Sequence, residues 1–476
     1  MKISAWAGLH NRQAELDFVD IDTDRDTRLF VDPYAIDIRG DAWSAECSRH
    51  LRSFFNALII SLRDNLDARA EHLASHLHET NETFLGLSSG RPQGRGIGRD
   101  QAQQILHALR QSRAVQTGLL SELAETELFI DGIGSDKISD LTTNIIRGPL
   151  LSYTRQQAEL WGMPITRNVA LDPVWDPNQE NWVQAPRETI VVADRPVILV
   201  PKFSVRRVLS LNSQEFYNEH MIPYLQSEYL NAGQALVHVL RSGERVVRKK
   251  LVKERHPKSK PDLAAFAQEH PDALAQYKRL AGAKGVLEAG EIEPDFDEQV
   301  YAGELSAELD RIAEGNAHAS DYHRFCVGAL TFIFFPHLIT PIKEREIDHG
   351  RKRIDIAYKN AAREGFFDMA LRSPQMRAIE IPIECKNYSQ DIANPELDQL
   401  TGRFSHVRGF LGLLCCRSFN NKVRFIERCK DAAVHRNHYV IVLDDIDLKI
   451  MLANVEHGRR DENDRFLRQR FAELTA

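Results

Sequence analysis

The sequence predicts an α/β protein whose carboxyl-terminal part forms a central mixed sheet flanked by helices, preceded by a large, helix-dominated α+β amino-terminal region. Two observations predict this architecture. After about residue 304, short apolar runs alternate with helical segments, which is the order that a sheet covered by helices requires. Upstream of that point, long stretches carry apolar residues at three- and four-residue intervals, a pattern typical of amphipathic helices.

Length and charge bound the organisation of the chain. Its 476 residues indicate about three domains, and we place them at residues 1–240, 241–303 and 304–476. Hydrophobic residues make up 43% of the sequence, enough for ordinary packed cores. Because the net charge is −7, any affinity for nucleic acid has to come from local clusters of lysine and arginine.

Cysteine usage and hydropathy indicate the compartment. The six cysteines include no C-x-x-C pair and have no histidine at zinc-ligand spacing, which is typical of a protein in a reducing cytosol. The amino terminus has no apolar core of a signal peptide, and no apolar run is long enough to span a bilayer. We therefore expect a cytoplasmic protein with no membrane partner.

The region 1–240 is predicted to be mostly helical, with a small sheet. Apolar residues from Ser44 to Leu77 recur with helical spacing, which predicts one amphipathic helix there. Residues 118–162 have the pattern of further helices. Two β-rich runs, RETIVVA and PVILVPK, are separated by a polar turn at Asp194 and Arg195 and predict a hairpin. We interpret this region as a recognition, sensing or oligomerisation unit.

The segment 241–303 changes the sign of its charge along its length. Residues 241–260 contain two acids and nine basic residues, namely Arg241, Arg245, Arg248, Lys249, Lys250, Lys253, Arg255, Lys258 and Lys260. From residue 285 to residue 310 there are nine acids and no basic residue. We interpret 241–303 as a charged linker, basic and then acidic. The basic part is typical of a solvated face, and through Arg248, Lys249 and Lys250 it is also the candidate nucleic-acid contact.

The region 304–476 carries the strands on which chemistry is predicted. An apolar helix, DYHRFCVGALTFIFF, precedes a short apolar run that contains Asp355. The run AIEIPIECKN alternates with period two, so Glu384 and Lys386 project from the same side of one strand. GFLGLLCCR then predicts a buried strand, NKVRFIERCKDAAVH a helix, HYVIVLDD a strand and RDENDRFLRQRFAEL a terminal helix.

The stretch between the two acid-bearing strands is longer than a tight hairpin needs. It runs from Lys359 to Arg377 and contains Phe366, Phe367 and Met369. These apolar side chains either pack locally or form a loop over the substrate.

The acids and the lysine of these two strands form a compact set of groups for hydrolysing a phosphodiester. Asp355 and Glu384 offer the hard oxygen ligands that Mg²⁺ prefers. Lys386 can orient or deprotonate a water molecule, or stabilise developing negative charge. The alternative for the same residues is an ordinary ion pair on the solvated face of an edge strand.

This arrangement resembles the PD-(D/E)XK nuclease superfamily, which has the restriction-endonuclease-like fold. Asp355 matches the first acid, Glu384 the second acid, and Lys386 the lysine of the E-x-K tripeptide. In that family the main-chain carbonyl of the middle residue, here Cys385, also ligates metal. The resemblance covers roughly residues 304 to 448.

A second match follows the catalytic strand. The segment PELDQLTGRF has helical spacing and is similar to the Q-x-x-x-Y/R helix of the Mrr and RecB-like branches, through Gln399 and Arg403. The resemblance implies that Gln399 belongs to the catalytic set and that Arg403 contacts nucleic acid, together with Arg353. Many members carry a further acid on the preceding helix, and Asp321, His323, Glu308 and Glu314 all remain candidates for that position.

The resemblance implies a Mg²⁺- or Mn²⁺-dependent endonuclease acting on double-stranded DNA, in bacterial restriction or antiphage defence. A homodimer is our expectation, because two nicks on a duplex commonly require two active sites, and a partner protein of the same defence system is a further expectation. Two alternatives stay open. One is a nucleic-acid-binding or scaffold protein with an inactive nuclease-like core, and the other is an RNA-cleaving abortive-infection toxin.

Overall fold

The computed structural model describes residues 1–86, 98–186, 188–232, 236–242, 244–343, 356–388 and 394–475. Buried apolar side chains from the first helix to the last helix form one continuous hydrophobic core within these ranges. None of the helices in them is long and apolar enough to cross a membrane.

Helices make up most of the described structure. The α-helices are α1 (Ile3–Trp6), α2 (Pro33–Asp37), α3 (Ala42–Arg63), α4 (Asp67–Ala74), α5 (Gly98–Gln111), α6 (Arg113–Thr117), α7 (Thr126–Phe129), α8 (Ser135–Ile145), α9 (Arg147–Trp161), α10 (Ser213–Glu215), α11 (Ile222–Ala232), α12 (Lys249–Arg255), α13 (Lys260–Glu269), α14 (Pro271–Ala283), α15 (Ala289–Ile292), α16 (Glu298–Arg311), α17 (Ala319–Phe334), α18 (Gly365–Arg372), α19 (Asn394–Thr401), α20 (Lys422–Arg436), α21 (Asp445–Glu456) and α22 (Glu462–Thr475).

The strands form four small sheets and one larger sheet in the described residues. They are β1 (Phe30–Val31), β2 (Thr166–Arg167), β3 (Val174–Asp176), β4 (Asn181–Val183), β5 (Glu188–Val192), β6 (Arg195–Val197), β7 (Val205–Arg206), β8 (Val237–Val239), β9 (Arg245–Val247), β10 (Leu338–Ile342), β11 (Ile356–Asn360), β12 (Glu380–Lys386), β13 (Leu411–Cys416) and β14 (Tyr439–Asp444).

The large sheet has five strands in the order β10-β11-β12-β13-β14. The pairs β10/β11 and β11/β12 are antiparallel, whereas β12/β13 and β13/β14 are parallel. The prediction of a mixed sheet in the carboxyl-terminal part is therefore confirmed. Every residue of β13 and β14 is buried, which is expected of parallel strands covered on both faces.

Helices cover this sheet. The helix α17 packs on β10 and β12, α18 on β11, α19 on β12 and β13, and α20, α21 and α22 on β14. The predicted strand-helix-strand order is observed as β13, α20 and β14. Asn421 caps the amino terminus of α20 with its side chain, and Asn437 ends the helix in the left-handed conformation, which asparagine tolerates well.

One prediction in the amino-terminal region was wrong in detail. The stretch from Ser44 to Leu77 is not one helix, because α3 ends at Arg63 and α4 begins at Asp67. Asn65 has a φ of 56°, the left-handed conformation that commonly terminates a helix. The hairpin prediction is confirmed by the pairing of β5 with β6, and its turn residues with positive φ are Ala193 and Asp194, one position earlier than predicted.

The long connection between β11 and β12 packs locally, which was one of its two predicted alternatives. It contains α18, whose Phe366 and Phe367 are buried. The ring centroids of Phe367 and Phe334 lie 5.1 Å apart, and those of Phe366 and Phe471 lie 5.9 Å apart. Aromatic contacts at these separations stabilise the fold beyond their apolar burial.

The segment interpreted above as a charged linker contains helices that pack on the amino-terminal region. Leu263 and Phe266 of α13 are buried, as is Tyr277 of α14. The hydroxyl of Tyr277 accepts a hydrogen bond of 2.7 Å from the backbone N–H of Asn212. Lys260 donates to the backbone oxygens of Ile130 and Ile133. Its basic residues therefore belong to a packed part of the chain.

A buried polar cluster joins the amino-terminal region to the first strand of the large sheet. The carboxylate of Asp17 accepts hydrogen bonds from the hydroxyl of Tyr153 at 2.7 Å and from the backbone N–H of Thr340 in β10 at 3.0 Å. The side chain of Gln157 donates to the carbonyl of Pro341 at 2.9 Å. Complete burial raises the pKa of Asp17 and lowers the pKa of the nearby Lys202 to about 7.

Asp140 makes the stability of the protein depend on pH. Burial, together with the neighbouring carboxylates of Asp136 and Glu79, raises its pKa to about 7 from an ordinary value near 3.8, against the opposing effect of hydrogen bonds from Thr80. The folded state therefore holds a proton between pH 4 and 7 that the unfolded state has lost. We expect the contribution of Asp140 to stability to be complete below about pH 4 and to be lost as the pH rises to about 7.

The variant Asp140→Asn tests this prediction, because an amide does not titrate. Urea midpoints of the natural protein and the variant should converge at pH 4 and differ at pH 8, with the variant more stable at the higher pH. A difference between the two proteins that is the same at both pH values would contradict it.

Candidate active site on the central strand

The third strand of the large sheet, β12, carries a buried carboxylate and a lysine on one face. The side chain of Glu384 has 0% of its surface exposed and that of Lys386 has 13%. Glu384 Oε1 and Lys386 Nζ are 2.6 Å apart, so the prediction that they share one side of the strand is confirmed. A charge pair at this distance and depth is screened little by solvent.

A second cation contacts the same carboxylate. Arg403 Nη1 lies 2.5 Å from Glu384 Oε2, and its side chain is 1% exposed. The contact of Arg403 with Glu384 was not predicted from the sequence, in which Arg403 is a candidate contact with nucleic acid. The signal available in the sequence was the carboxylate itself, because an acid on a strand this apolar needs a cationic partner when it is buried.

Gln399 and Tyr388 also contact Lys386. Lys386 Nζ donates to Gln399 Oε1 at 3.4 Å, and it lies 5.6 Å from the centroid of the Tyr388 ring. The predicted proximity of the Gln399 helix to the E-x-K strand is thus observed. Three different kinds of group, a carboxylate, an amide oxygen and an aromatic face, hold one ammonium in place.

Packing of α19 against the sheet brings Gln399 and Arg403 to this face. Gly412 of β13 makes this approach possible. A Cβ atom at position 412 would lie 3.1 Å from side-chain atoms of Leu400 and Phe404. The absence of a side chain there lets α19 lie close to β12 and β13.

The end of β12 is tied to the loop that precedes α17. The side chain of Asn387 donates to the carbonyl oxygens of Ala313 and Gly315 at 3.0 and 2.9 Å, and it accepts from Arg417 Nη1 at 3.1 Å. Arg417 Nε is also 2.8 Å from the carboxylate of Asp445. Burial raises the pKa of Asp445 to about 6, against the opposing effect of Arg417.

Glu314, Asp321 and Glu308, three of the four residues predicted as candidates for a further acid, have different surroundings. Gly315 also donates its backbone N–H to Asn387 O at 2.8 Å, so Glu314 is next in sequence to a residue that contacts the end of β12. Asp321 is exposed and lies 3.4 Å from His318. Burial raises the pKa of Glu308, and the positive charges of Arg311 and His10 act in the opposite direction.

Two predicted site residues, Arg353 and Asp355, lie outside the described residues. The described residue that follows Asp355 is Ile356, which pairs with Ile383, the residue before Glu384. Arg248, Lys249 and Lys250 are all exposed, at the start of α12, which packs on α11. The structure therefore brings together Glu384, Lys386, Gln399 and Arg403, and it places the basic triplet on a different part of the surface.

The donors described on β12 suit a hard divalent cation in kind. The carboxylate of Glu384 and the main-chain carbonyl of Cys385 are oxygen ligands of the class that Mg²⁺ and Mn²⁺ take. Both carboxylate oxygens contact a cationic side chain, which leaves positive charge in excess over these three groups. A divalent cation at this position therefore fits only with a further carboxylate, and Asp355 is the residue predicted for it.

Comparisons with known proteins identify distant likenesses. A domain of unknown function, DUF8370, matches residues 8–212. The transposon gamma-delta 80.3 kDa protein of Escherichia coli (strain K12) is 26% identical over 140 residues, which make up 27% of this chain and 20% of that protein. Among solved structures, the restriction endonuclease FokI bound to DNA matches with 11% identity and a TM-score of 0.24, over 72% of this chain and 64% of that chain. This chain thus spans about a fifth of the curated relative.

Proposed function

We propose that this protein is a metal-dependent phosphodiesterase that cleaves double-stranded DNA as an endonuclease. The observation that carries the proposal is the contact between Glu384 and Lys386 on a buried strand of the mixed sheet, with the amide oxygen of Gln399 accepting a hydrogen bond from the same lysine. A carboxylate next to an oriented ammonium matches the needs of phosphodiester hydrolysis, which must bind an anionic substrate and stabilise additional negative charge.

The proposed metal ligands are Asp355, Glu384 and the main-chain oxygen of Cys385. A Mg²⁺ or Mn²⁺ ion held by them would supply Lewis-acid stabilisation of the phosphate and an activated water. The pairing of Ile356 with Ile383 supports Asp355 as the second carboxylate, because each of these residues is the immediate chain neighbour of one of the two acids.

Each remaining side chain has a role that follows from its contacts. Lys386 presents its ammonium to the scissile phosphate or its attacking water, and Gln399 positions that ammonium through its side-chain oxygen. Arg403 holds the buried carboxylate of Glu384 in one orientation. This assignment replaces the contact with nucleic acid that the sequence suggested for Arg403, since its side chain is enclosed by protein.

The basic triplet on α12 is the proposed electrostatic contact with DNA, together with Arg353. We expect the variant in which Arg248, Lys249 and Lys250 are all replaced by alanine to bind DNA more weakly. Its affinity should also depend less steeply on salt concentration. Each lost phosphate contact lowers the slope of log K against log salt by about 0.9, so three contacts lower it by roughly 2.7. Fluorescence anisotropy of a labelled duplex at several salt concentrations measures the slope.

Lys278 and Lys284 provide a matched control for this prediction. Both are basic residues of the segment 241–303, Lys278 in α14 and Lys284 directly after it, but they form ion pairs with Glu125 and Glu215. Replacing both with alanine should leave the salt slope unchanged. An unchanged slope in the triplet variant would remove α12 from the DNA interface.

A role in bacterial restriction or antiphage defence, a homodimeric assembly and a partner protein of such a system complete the proposal. Their support is the resemblance of the E-x-K strand and the Gln399 helix to defence nucleases, together with the need for two active sites to cut both strands of a duplex.

One observation favours a second candidate function. The carboxylate of Glu384 is enclosed completely and contacts two cations, which is also how a purely structural ion triad looks. In that case the core would be an inactive scaffold that binds nucleic acid through the amino-terminal region or α12.

One assay separates these candidates. The purified protein is incubated with plasmid, linear DNA and total RNA, each with Mg²⁺, with Mn²⁺ and with EDTA. Our proposal expects nicking or cutting of plasmid with either metal and none with EDTA. Cleavage of RNA alone would support an RNA-directed toxin, and the absence of cleavage under every condition, with DNA still bound, would support the scaffold.

A further inference from the structure

Three thiols converge on the face of β12 that is opposite to Glu384 and Lys386. They belong to Cys326 of α17, Cys385 of β12 and Cys415 of β13. Their sulfur atoms all lie within 4.8 Å of one another. Cys326 and Cys415 are wholly buried, and Cys385 is partly exposed.

The placement of this cluster follows from the fold. Cys385 and Cys415 are direct partners across the parallel strands β12 and β13, so their side chains leave the sheet on the same face. The helix α17 packs on β12 from that side and contributes Cys326 one layer above. Alternation along β12 directs Glu384 and Lys386 to the other face, so the thiol cluster is separate from the proposed catalytic groups.

We propose that Cys326, Cys385 and Cys415 bind a soft divalent cation of the Zn²⁺ and Cd²⁺ class. Thiolate sulfur is the ligand these ions prefer. A Zn–S bond of about 2.3 Å in tetrahedral geometry separates neighbouring sulfurs by about 3.8 Å, so the observed cluster needs a contraction of no more than about 1 Å to close on an ion.

Charge balance in the core favours a divalent ion. Two thiolates neutralise the charge of a divalent ion. The third cysteine then binds either as a neutral thiol, which leaves the site uncharged, or as a thiolate, which gives the site a net charge of about −1. The protons released on binding pass to solvent. The ion would also join α17, β12 and β13 at one point, immediately behind the strand that carries the proposed active site.

The other three cysteines of the chain lie outside the thiol cluster. Cys47, Cys416 and Cys429 are also buried, as expected for cysteines that pack as small apolar side chains. None of these three belongs to a group of thiols in the described residues. They are therefore matched controls for the three that do.

The test uses the full-length protein, reduced and freed of metal, titrated with Cd²⁺ alone and then with Zn²⁺ alone. Our proposal expects one Cd²⁺ per chain with thiolate-to-cadmium charge-transfer absorption in the ultraviolet, displaced by Zn²⁺. The variants Cys326→Ser and Cys415→Ser should each lose most of this absorption, whereas Cys416→Ser and Cys429→Ser should keep it. Equal absorption in all four variants, or none in the natural protein, would overturn the proposal.

A second measurement does not depend on any variant folding correctly. The ¹¹³Cd resonance of the natural protein should fall in the range of sulfur ligation, and a resonance in the range of oxygen ligation would place the ion elsewhere and overturn the assignment. The variant Glu384→Gln should retain the sulfur-ligated resonance. The experiment therefore tests the thiol site independently of the proposed nuclease activity.

Discussion

Replacing Lys386 with alanine is expected to lower the rate of DNA cleavage by about 10²- to 10⁴-fold, the usual contribution of a positioned acid-base group. The ammonium that this change removes contacts Glu384 and Gln399. Arg403 still faces the second oxygen of Glu384 in the variant, so the buried carboxylate keeps a cationic partner and the fold is expected to persist. Single-turnover cleavage of plasmid with Mg²⁺ measures the effect.

The sheet itself offers a matched control for Lys386. Lys359 of β11 forms an ion pair with Glu380, which lies on the same strand as Glu384 but at its other end. The variant Lys359→Ala removes a lysine from a carboxylate of β12 without touching the proposed site. We expect it to cleave at the natural rate, and equal rates for the natural protein and Lys386→Ala would remove Lys386 from the mechanism.

Replacing Glu384 with leucine is expected to destabilise the protein by about 3–5 kcal/mol, the typical cost of removing one partner from a buried ion pair. The change withdraws the carboxylate that lies 2.5 Å from the guanidinium of Arg403, whose side chain is 1% exposed. Desolvation of that guanidinium is then no longer offset by the attraction to Glu384. The midpoint of urea unfolding, with an unchanged dependence on denaturant, measures the loss.

Two further variants make this prediction specific. Glu462 and Arg465 form a surface pair at 2.5 Å, with side chains 37% and 70% exposed, and Glu462→Leu should change stability by less than about 1 kcal/mol. The double variant Glu384→Leu and Arg403→Leu should recover much of the loss, because apolar side chains of similar size can replace a buried pair at little cost. A double variant less stable than Glu384→Leu alone would contradict this account of Arg403.

Much of the large sheet could be predicted from local pattern. β12 alternates, and β13 and β14 are continuous apolar runs separated by a helix with clear caps. Alternation also predicted that Glu384 and Lys386 share a face, because a strand has a period of two whatever surrounds it. The break between α3 and α4 was missed because the apolar periodicity continues on both sides of the asparagine that ends the first helix.

The contact of Arg403 with Glu384 could not be derived in this way. It joins a residue after α19 to a residue on β12, and it depends on how closely that helix approaches the sheet at Gly412. The thiol cluster has the same origin, because its members are 59 and 30 residues apart in sequence and meet only when α17 packs over β12 and β13. Cysteine spacing alone indicated no metal site.

The sequence by itself determined β12, β13 and β14, the helix α20 between the last two, and the shared face of Glu384 and Lys386, since these follow from local periodicity and capping. Tertiary structure alone decided which side chains contact one another across elements: the two cations around Glu384, the three sulfurs behind it, and the packing of 241–303 on the amino-terminal region. The physical reason is that buried charge and buried thiol chemistry depend on distances of a few ångströms between segments remote in sequence. Local pattern sets the direction of a side chain, and only the packing of layers sets those distances.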